Sequence, residues 1–268
     1  MFKKKTNQDT FLREYRKISE IPTPPPGEIY FTPRMNLIND ERVAPLLNSH
    51  SWPEWWENVE TGGGSLRNCP GTQDLLSLGY TLRMWATVDF RPTPSKTNWE
   101  SKFATTAQES DEYRELFNLD SFLYDQTGAC PVTEVRKNPI TDYPKMSSPW
   151  LIKTAPGWSC LLIPVLWQPD KNYTILPGVV NTDTYHQAHI IVNPLTDGPF
   201  SISVGTPLYQ IIPFERREVV NKDVKILDES AFPFLFSHGW GKNVFTPTER
   251  RSVYNQNRRT IDKTRREK

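Results

Sequence analysis

Hydrophobic and polar residues alternate most regularly in residues 78–90. Apolar side chains such as Leu82, Val88 and Phe90 occupy every second position, with mostly polar residues between them. A period of two is the spacing of a β-strand with one buried face, so this segment predicts one long half-buried strand. We expect the strand to end at Pro92 and Pro94, because proline has no N–H to donate to a neighbouring strand.

The second half of the chain has the pattern of a mainly β fold. Short apolar runs predict strands at residues 150–153, 158–167, 173–176, 189–192, 200–204 and 208–214. Pro156-Gly157 and Pro177-Gly178 predict turns between them. Turns that recur about every 8 to 12 residues are typical of a β-sandwich or a barrel-like core. Four prolines are expected to break the preceding segment into short extended pieces: Pro131, Pro139, Pro144 and Pro149.

The pattern divides the chain into three parts. Residues 1–67 form an N-terminal arm with a short amphipathic helix at 9–19, residues 68–245 form the β-rich core, and residues 246–268 form a basic tail. Within the arm, the prolines of residues 22–27 predict an extended polyproline spacer, and a proline-rich recognition ligand is the alternative. A second short helix is predicted within residues 106–119.

A cluster of three tryptophans, Trp52, Trp55 and Trp56, lies at the end of the arm. Indole rings mostly serve cores and interfaces, so we expect an aromatic plug packed on a sheet. A platform that stacks on sugar or base rings is the alternative.

The composition excludes several classes of protein. With 37% hydrophobic and 24% charged residues in a chain of 268, one large or two small soluble domains are expected. No apolar run approaches the roughly 18 residues of a membrane span, and the basic residues 3–5 are not followed by the apolar run of a secretory signal. We therefore expect a cytosolic protein that makes no contact with a membrane.

The cysteines point to a reducing compartment. Cys69, Cys130 and Cys160 are far apart and odd in number, which fits neither a disulfide framework nor a zinc knuckle. Cys160 lies in an apolar run, so we expect a buried structural thiol rather than a reactive one.

Positive charge is concentrated in the tail. The whole chain has a net charge of +1, whereas residues 246–268 contain eight basic and three acidic residues. Thr246-Pro247-Thr248-Glu249 is a helix-start pattern, so a basic C-terminal helix is predicted. Weak, non-specific nucleic-acid contact is one hypothesis for the tail, and a solvated charged terminus is the other. The candidate contact residues are Arg250, Arg251, Arg258, Arg259, Arg265 and Arg266.

Two blocks of the core carry a resemblance to an enzyme superfamily. Residues 176–193 contain Pro-Gly-Val-Val-Asn-Thr-Asp-Thr-Tyr, and residues 200–213 contain Gly-Thr-Pro-Leu-Tyr-Gln-Ile-Ile. They resemble the nucleotide site of the trimeric dUTPases and dCTP deaminases, over about 40 residues. The resemblance implies a β-clip core and a nucleotide-binding or nucleotide pyrophosphatase activity, with Mg²⁺ as cofactor; without that activity, no cofactor is expected.

The resemblance also assigns residues. The family aspartate that orients the attacking water corresponds to Asn181, whose amide is a poor general base. Asp183 is then the candidate catalytic base if the turn rotates, Tyr185 the ring that closes on the sugar, and Gln210 a contact to the nucleotide base or the backbone. The family's glycine-rich closing tail and Pro-Arg-Ser-Ser element have no counterpart in this sequence.

A longer set of blocks resembles a protein family of tailed phages of marine bacteria. The blocks are Asn68-Cys-Pro-Gly with Gly79-Tyr-Thr-Leu, residues 148–159, residues 177–183 and residues 205–216, in the same order over about 150 residues. This resemblance implies a phage-encoded accessory or interaction protein in the host cytoplasm, which binds a protein partner or self-associates. It implies no particular reaction.

Complete catalytic and metal-binding patterns are absent from the sequence. Asp183, His186 and His189 form Asp-x-x-His-x-x-His, but on a strand the two histidines would point to opposite faces. We therefore expect no metal site and a solvated polar turn, with a metal-binding turn as the alternative. The favoured hypothesis is a non-catalytic interaction protein, and the alternative is a dUTPase-like enzyme with a degenerate site.

Overall fold

The computed structural model describes most of the chain between residues 21 and 216. The described residues are 21–33, 41–50, 52–62, 65–95, 98–103, 123–127, 142–165, 167 and 170–216. Contacts divide the chain into two compact units, Met1–Pro45 with Leu82–Val219, and Leu46–Thr81 with Val220–Lys268. The helices predicted at 9–19 and within 106–119, and the basic tail, lie outside the described residues.

The described part of the chain is mainly β, which confirms the predicted fold class at that level. Its one α-helix is α1 (Pro70–Ser77), and 3-10 helices span Asn48–His50, Glu54–Asn58 and Leu66–Asn68. No helix in these segments has the length and hydrophobicity needed to cross a membrane. The strands are β1 (Tyr30–Pro33), β2 (Leu46–Leu47), β3 (Tyr80–Arg83), β4 (Val88–Pro92), β5 (Trp99–Phe103), β6 (Leu123–Thr127), β7 (Asp142–Lys153), β8 (Trp158–Pro164), β9 (Tyr173–Ile175), β10 (Gly178–Val180), β11 (Gln187–Pro194), β12 (Phe200–Ile202) and β13 (Pro207–Glu215).

The first unit contains three groups of antiparallel strands. In the first group, β11 pairs with one side of β7, and β9 pairs with the far end of β11. Strands β6 and β1 pair with successive halves of the other side of β7. In the second group β8 lies between β10 and β13, and in the third β4 lies between β12 and β5. The described sheets are open and do not form a closed barrel, so the barrel-like expectation is wrong in that respect.

Strand β7 corrects the expectation of a break at Pro144 and Pro149, whereas Pro131 and Pro139 lie outside the described residues. It runs through Pro144 and Pro149 without interruption. Pro149 lies between the residues paired with β6 and those paired with β1. It also lies opposite a register shift in β11, between Gln187 and His189. Proline is tolerated where a bulge or a change of partner leaves its missing N–H without a function.

The long strand predicted at 78–90 is interrupted. Residues 84–87 separate β3 from β4. The Met84 N–H donates to the Thr206 carbonyl at 2.8 Å, and the Gly205 N–H donates to the Met84 carbonyl at 2.7 Å. Trp85, which the alternation assigns to the polar face, is fully buried. The alternation therefore locates two strands rather than one, and it assigns the buried Trp85 ring to the wrong face.

Stacked aromatic rings form part of the core of the first unit. Phe200 of β12 stacks on Phe90 of β4 with ring centroids 4.9 Å apart, and on Tyr173 of β9 at 5.5 Å. The Trp99 ring is tilted against Phe200 at 5.3 Å. Burial, with a smaller contribution from Asp170, raises the pKa of Tyr173 to about 12. The stack joins the β4–β5–β12 sheet to the sheet that contains β9.

The proline-rich segment ends in a turn that leads into the first sheet. The Glu28 N–H donates to the Pro25 carbonyl at 3.1 Å, and Gly27 has φ +85°. A positive φ is accessible to glycine because it has no Cβ. The Gly27 α-carbon faces the Trp158 ring, and β1 follows directly. The proline-rich segment therefore ends in a turn at residues 25–28.

The described residues of the second unit contain one short strand pair and α1. Leu46 and Leu47 of β2 pair with Thr81 and Tyr80 of β3. The buried Asn48 side chain donates to the Leu78 carbonyl at 2.8 Å and accepts from the Thr81 hydroxyl at 2.6 Å. A single amide therefore fastens the start of β3 to the segment after α1, satisfying its own polar atoms while buried.

Candidate functional site

The candidate site is the turn that connects β10 to β11. Its main chain is organised by Asn181, whose carbonyl accepts from the N–H groups of Thr184 at 3.0 Å and Tyr185 at 2.8 Å. The Asn181 side-chain oxygen accepts from the Ser159 hydroxyl at 2.8 Å. Local side-chain and main-chain bonds of this kind favour turns. Both the main-chain and the side-chain oxygen of Asn181 thus accept hydrogen bonds that stabilise the turn.

A second turn faces the first. The Trp158 N–H donates to the Ala155 carbonyl at 3.1 Å, and Gly157 has φ +83°. Proline followed by a glycine of positive φ fits a type II turn, which confirms the turn predicted at Pro156-Gly157. The Gly157 N–H donates to the Asp183 carboxylate at 2.9 Å. The type II turn therefore places a main-chain donor at the candidate site.

The Asp183 carboxylate is bound by Arg216 at the end of β13. The two guanidinium nitrogens lie 2.9 Å from Oδ1 and 2.5 Å from Oδ2. The Asp183 side chain is only 8% exposed, whereas that of Arg216 is 37% exposed. The hydrogen bond from Arg216 is the main cause of a lowered pKa at Asp183, and the Gly157 N–H acts in the same direction. The carboxylate is thus held ionised.

Arg216 joins the end of β13 to the start of β8 as well as binding Asp183. Its guanidinium donates to the Trp158 carbonyl at 2.9 Å and lies 3.0 Å from the Ser159 hydroxyl. Its main-chain N–H donates to the Gly157 carbonyl at 3.0 Å. We call Asp183, Arg216 and Gly157, with their mutual bonds, the Asp–Arg clasp. A planar guanidinium presents several donors at once, which suits this geometry.

A buried layer of hydroxyls lies beneath the clasp. The hydroxyls of Thr154 and Thr182 are 2.8 Å apart, and the Cys160 sulfur lies 3.3 Å from the Thr182 hydroxyl. All three residues are almost completely buried. Burial raises the pKa of the Cys160 thiol to about 11, which is the environment of an unreactive structural thiol. The predicted burial of Cys160 is therefore confirmed.

The two histidines of the turn bind separate partners. His186 Nδ1 lies 2.9 Å from the Thr182 carbonyl and 3.1 Å from that of Ile152. His189 Nε2 is hydrogen-bonded to the Tyr185 hydroxyl. With Asp183 bound to Arg216, these residues do not present a common set of ligands. Within the described ranges, no group of three or more His, Cys, Asp or Glu side chains is placed to hold a metal ion.

The predicted ligand-binding residues have different environments. Tyr185 is 49% exposed, and Asn181 lies at the surface. Gln210, in contrast, is buried on β13, where it pairs with Ile163 of β8. The structure therefore places one of the three in the sheet interior and two on the exposed turn. The six candidate arginines of the tail lie outside the described residues.

Sequence reasoning missed Arg216 and the role of Gly157. Arg216 is 33 positions from Asp183, and no local pattern connects a strand-end arginine with a turn aspartate at that separation. The Pro-Gly pattern could have indicated Gly157, but nothing in the sequence indicates that the Gly157 N–H binds Asp183. A search for known relatives adds no assignment: no protein-family model and no curated protein matches the chain.

Proposed function

We propose that this chain is a non-catalytic binding protein, of the accessory or interaction type that its resemblance to a tailed-phage family implies. The observation that supports the proposal is the Asp–Arg clasp. Asp183 is the only carboxylate in the turn that the dUTPase-like alternative uses as a base, and both of its oxygens are bound within the chain.

Catalysis by Asp183 would require a different arrangement. A general base needs a lone pair directed at the substrate proton and a pKa near the working pH. The pKa of Asp183 is lowered by Arg216, which moves it away from neutrality, and its side chain is almost buried. This carboxylate is therefore suited to hold two turns and the end of β13 together.

The surface beside the clasp is suited to contact a partner. Val179 of β10 is 59% exposed, and among the described strands β10 lies at the edge of its sheet. Tyr185 follows in the adjoining turn, with its hydroxyl on His189. An exposed aromatic ring next to an edge strand supplies apolar area and a polar tip, which favours contact with a protein partner or a second copy.

Nucleotide turnover and assembly size together test the proposal. The full chain is incubated with deoxynucleoside triphosphates and Mg²⁺, and pyrophosphate release and thermal stabilisation are measured for the native protein and for Asp183→Asn. We expect neither turnover nor stabilisation. Pyrophosphate release that disappears in Asp183→Asn would refute the proposal in favour of the enzyme.

Light scattering on a size-exclusion column then examines the contact surface. If the chain self-associates, Val179→Thr with Tyr185→Ala should shift it toward the monomer, since the pair removes exposed apolar area. Leu66→Ala, which truncates an exposed leucine of the second unit, is the matched control. Equal effects of the two changes would contradict the assignment of this surface.

A further inference from the structure

Exposed apolar side chains are concentrated in the second unit. Of the six large hydrophobic residues that are exposed in the described part of the chain, four lie between residues 46 and 81: Leu47, Trp52, Leu66 and Leu78. Trp52 is 39% exposed and meets the buried Trp56 edge to face, with ring centroids 5.4 Å apart. Trp56 therefore anchors the cluster, and Trp52 presents indole surface to solvent.

Three exposed acidic residues follow Trp52 within eight positions of the sequence. Glu54 and Glu57 lie on the 3-10 helix that carries Trp55 and Trp56, and both are exposed. Residues three apart on a 3-10 helix lie on the same side. Glu60 follows the helix and is also exposed. We call Trp52, Glu54, Glu57 and Glu60 the acidic Trp face.

The one basic residue of segment 46–81 binds main-chain carbonyls. In residues 46–81 the sequence has four acidic residues and one basic residue, Arg67, which is a net charge of −3. The Arg67 guanidinium donates to the main-chain carbonyls of Glu57 at 3.1 Å and Val59 at 3.4 Å. It thus fixes the chain around the 3-10 helix while the glutamate side chains stay at the surface.

The C-terminal tail has the complementary chemistry. Residues 246–268 carry eight basic and three acidic residues, a net charge of +5, with arginines in adjacent pairs at 250–251, 258–259 and 265–266. Arginine stacks on indole faces and forms paired hydrogen bonds with carboxylates.

We propose that the basic tail, residues 246–268, docks on the acidic Trp face of its own chain. Arginine guanidinium groups pair with the exposed glutamates and cover the Trp52 ring. Docking in this way conceals two elements that are each able to contact a partner, and it lowers the attraction of the tail for phosphate. The proposal is independent of whether the turn at Asp183 is catalytic.

The first test measures protection of the tail in the full chain. Trypsin cleavage in the tail is followed by mass spectrometry for the native protein and for Glu54→Gln/Glu57→Gln/Glu60→Gln. We expect cleavage about tenfold faster in the triple variant, since three exposed ion pairs of modest energy are lost. Raising NaCl from about 50 mM to about 500 mM should speed cleavage of the native protein in the same way.

A matched control separates docking from net charge. Glu28, Glu41 and Glu100 are exposed glutamates of the first unit, and their replacement by Gln makes the same change in net charge. Cleavage in this control should equal that of the native protein. Binding of a single-stranded oligonucleotide should be about tenfold tighter in the acidic-face variant than in the control, because the undocked tail is then available.

Carbodiimide cross-linking locates the contact. We expect links from Lys263 or Lys268 to Glu54, Glu57 or Glu60 within the monomer. Links that form only between two copies would overturn docking within one chain. Equal cleavage and equal oligonucleotide affinity in the two triple variants would overturn it as well, showing that the tail is already available to nucleic acid.

Discussion

Removing the carboxylate of the Asp–Arg clasp by Asp183→Ala should destabilise the first unit. The hydrogen bond from the Gly157 N–H ends on a charged group that is 8% exposed, and such a bond contributes about 1.5–3 kcal/mol. The ion pair with Arg216 adds little to this, because its guanidinium is 37% exposed and solvent competes for it. We therefore expect a loss of about 2 kcal/mol in the free energy of unfolding.

The pH dependence of this loss identifies its cause. The folded pKa of Asp183 is lowered, first by the hydrogen bond from Arg216, so it lies below the unfolded value of about 3.9. The ionised carboxylate therefore stabilises the fold above about pH 4, and this stabilisation is lost as the pH falls through the folded pKa. The difference between native protein and Asp183→Ala should be largest near neutral pH and shrink in acid.

Urea unfolding, followed by circular dichroism at about pH 7 and about pH 3, measures both effects. Asp170→Ala is the control, because the exposed Asp170 carboxylate also accepts one main-chain N–H bond, from Asn172 at 2.7 Å. Asp170→Ala should lower the free energy of unfolding clearly less than Asp183→Ala does. A loss at Asp183 that stays the same at both pH values would refute the reasoning, since the charge of the carboxylate would then have no part in it.

Three further changes test other parts of the structure. Gly157→Ala should cost about 1–2 kcal/mol in unfolding free energy because φ is +83°, although no atom lies within 4 Å of the new Cβ. Gly178 has equal space and no positive φ, so Gly178→Ala should cost clearly less. Equal costs would contradict the strain argument. Phe200→Ala should cost about 3–5 kcal/mol, measured by urea unfolding, because it removes the ring shared by three aromatic contacts; a loss below about 1 kcal/mol would exclude the stack as core. Iodoacetamide at neutral pH should label the exposed Cys69, whose pKa the hydrogen bond from Thr72 lowers, and spare the buried Cys160, whose pKa is raised to about 11; peptide mapping that finds similar labelling of both would show that Cys160 is accessible.

Local features of the sequence were sufficient to locate most of the described strands and one decisive turn. The apolar runs around β8, β11 and β13 mark strands within a few residues of their ends, because alternation and burial are properties of neighbouring positions. Pro156-Gly157 predicts its turn because proline fixes one dihedral angle and glycine permits the next. The same local logic failed at Pro149 and Trp85, where the partner strand and the core decide the outcome.

The sequence by itself determined the mainly β character, the turn chemistry and the set of polar residues between β10 and β11. Only the tertiary structure decided what those residues do. Arg216 reaches Asp183 across 33 positions, Ser159 reaches Asn181 across 22, and Gln210 lies inside a sheet. The physical reason is that strand pairing brings distant segments together, and the charge and hydrogen bonds of a side chain depend on which distant groups it meets.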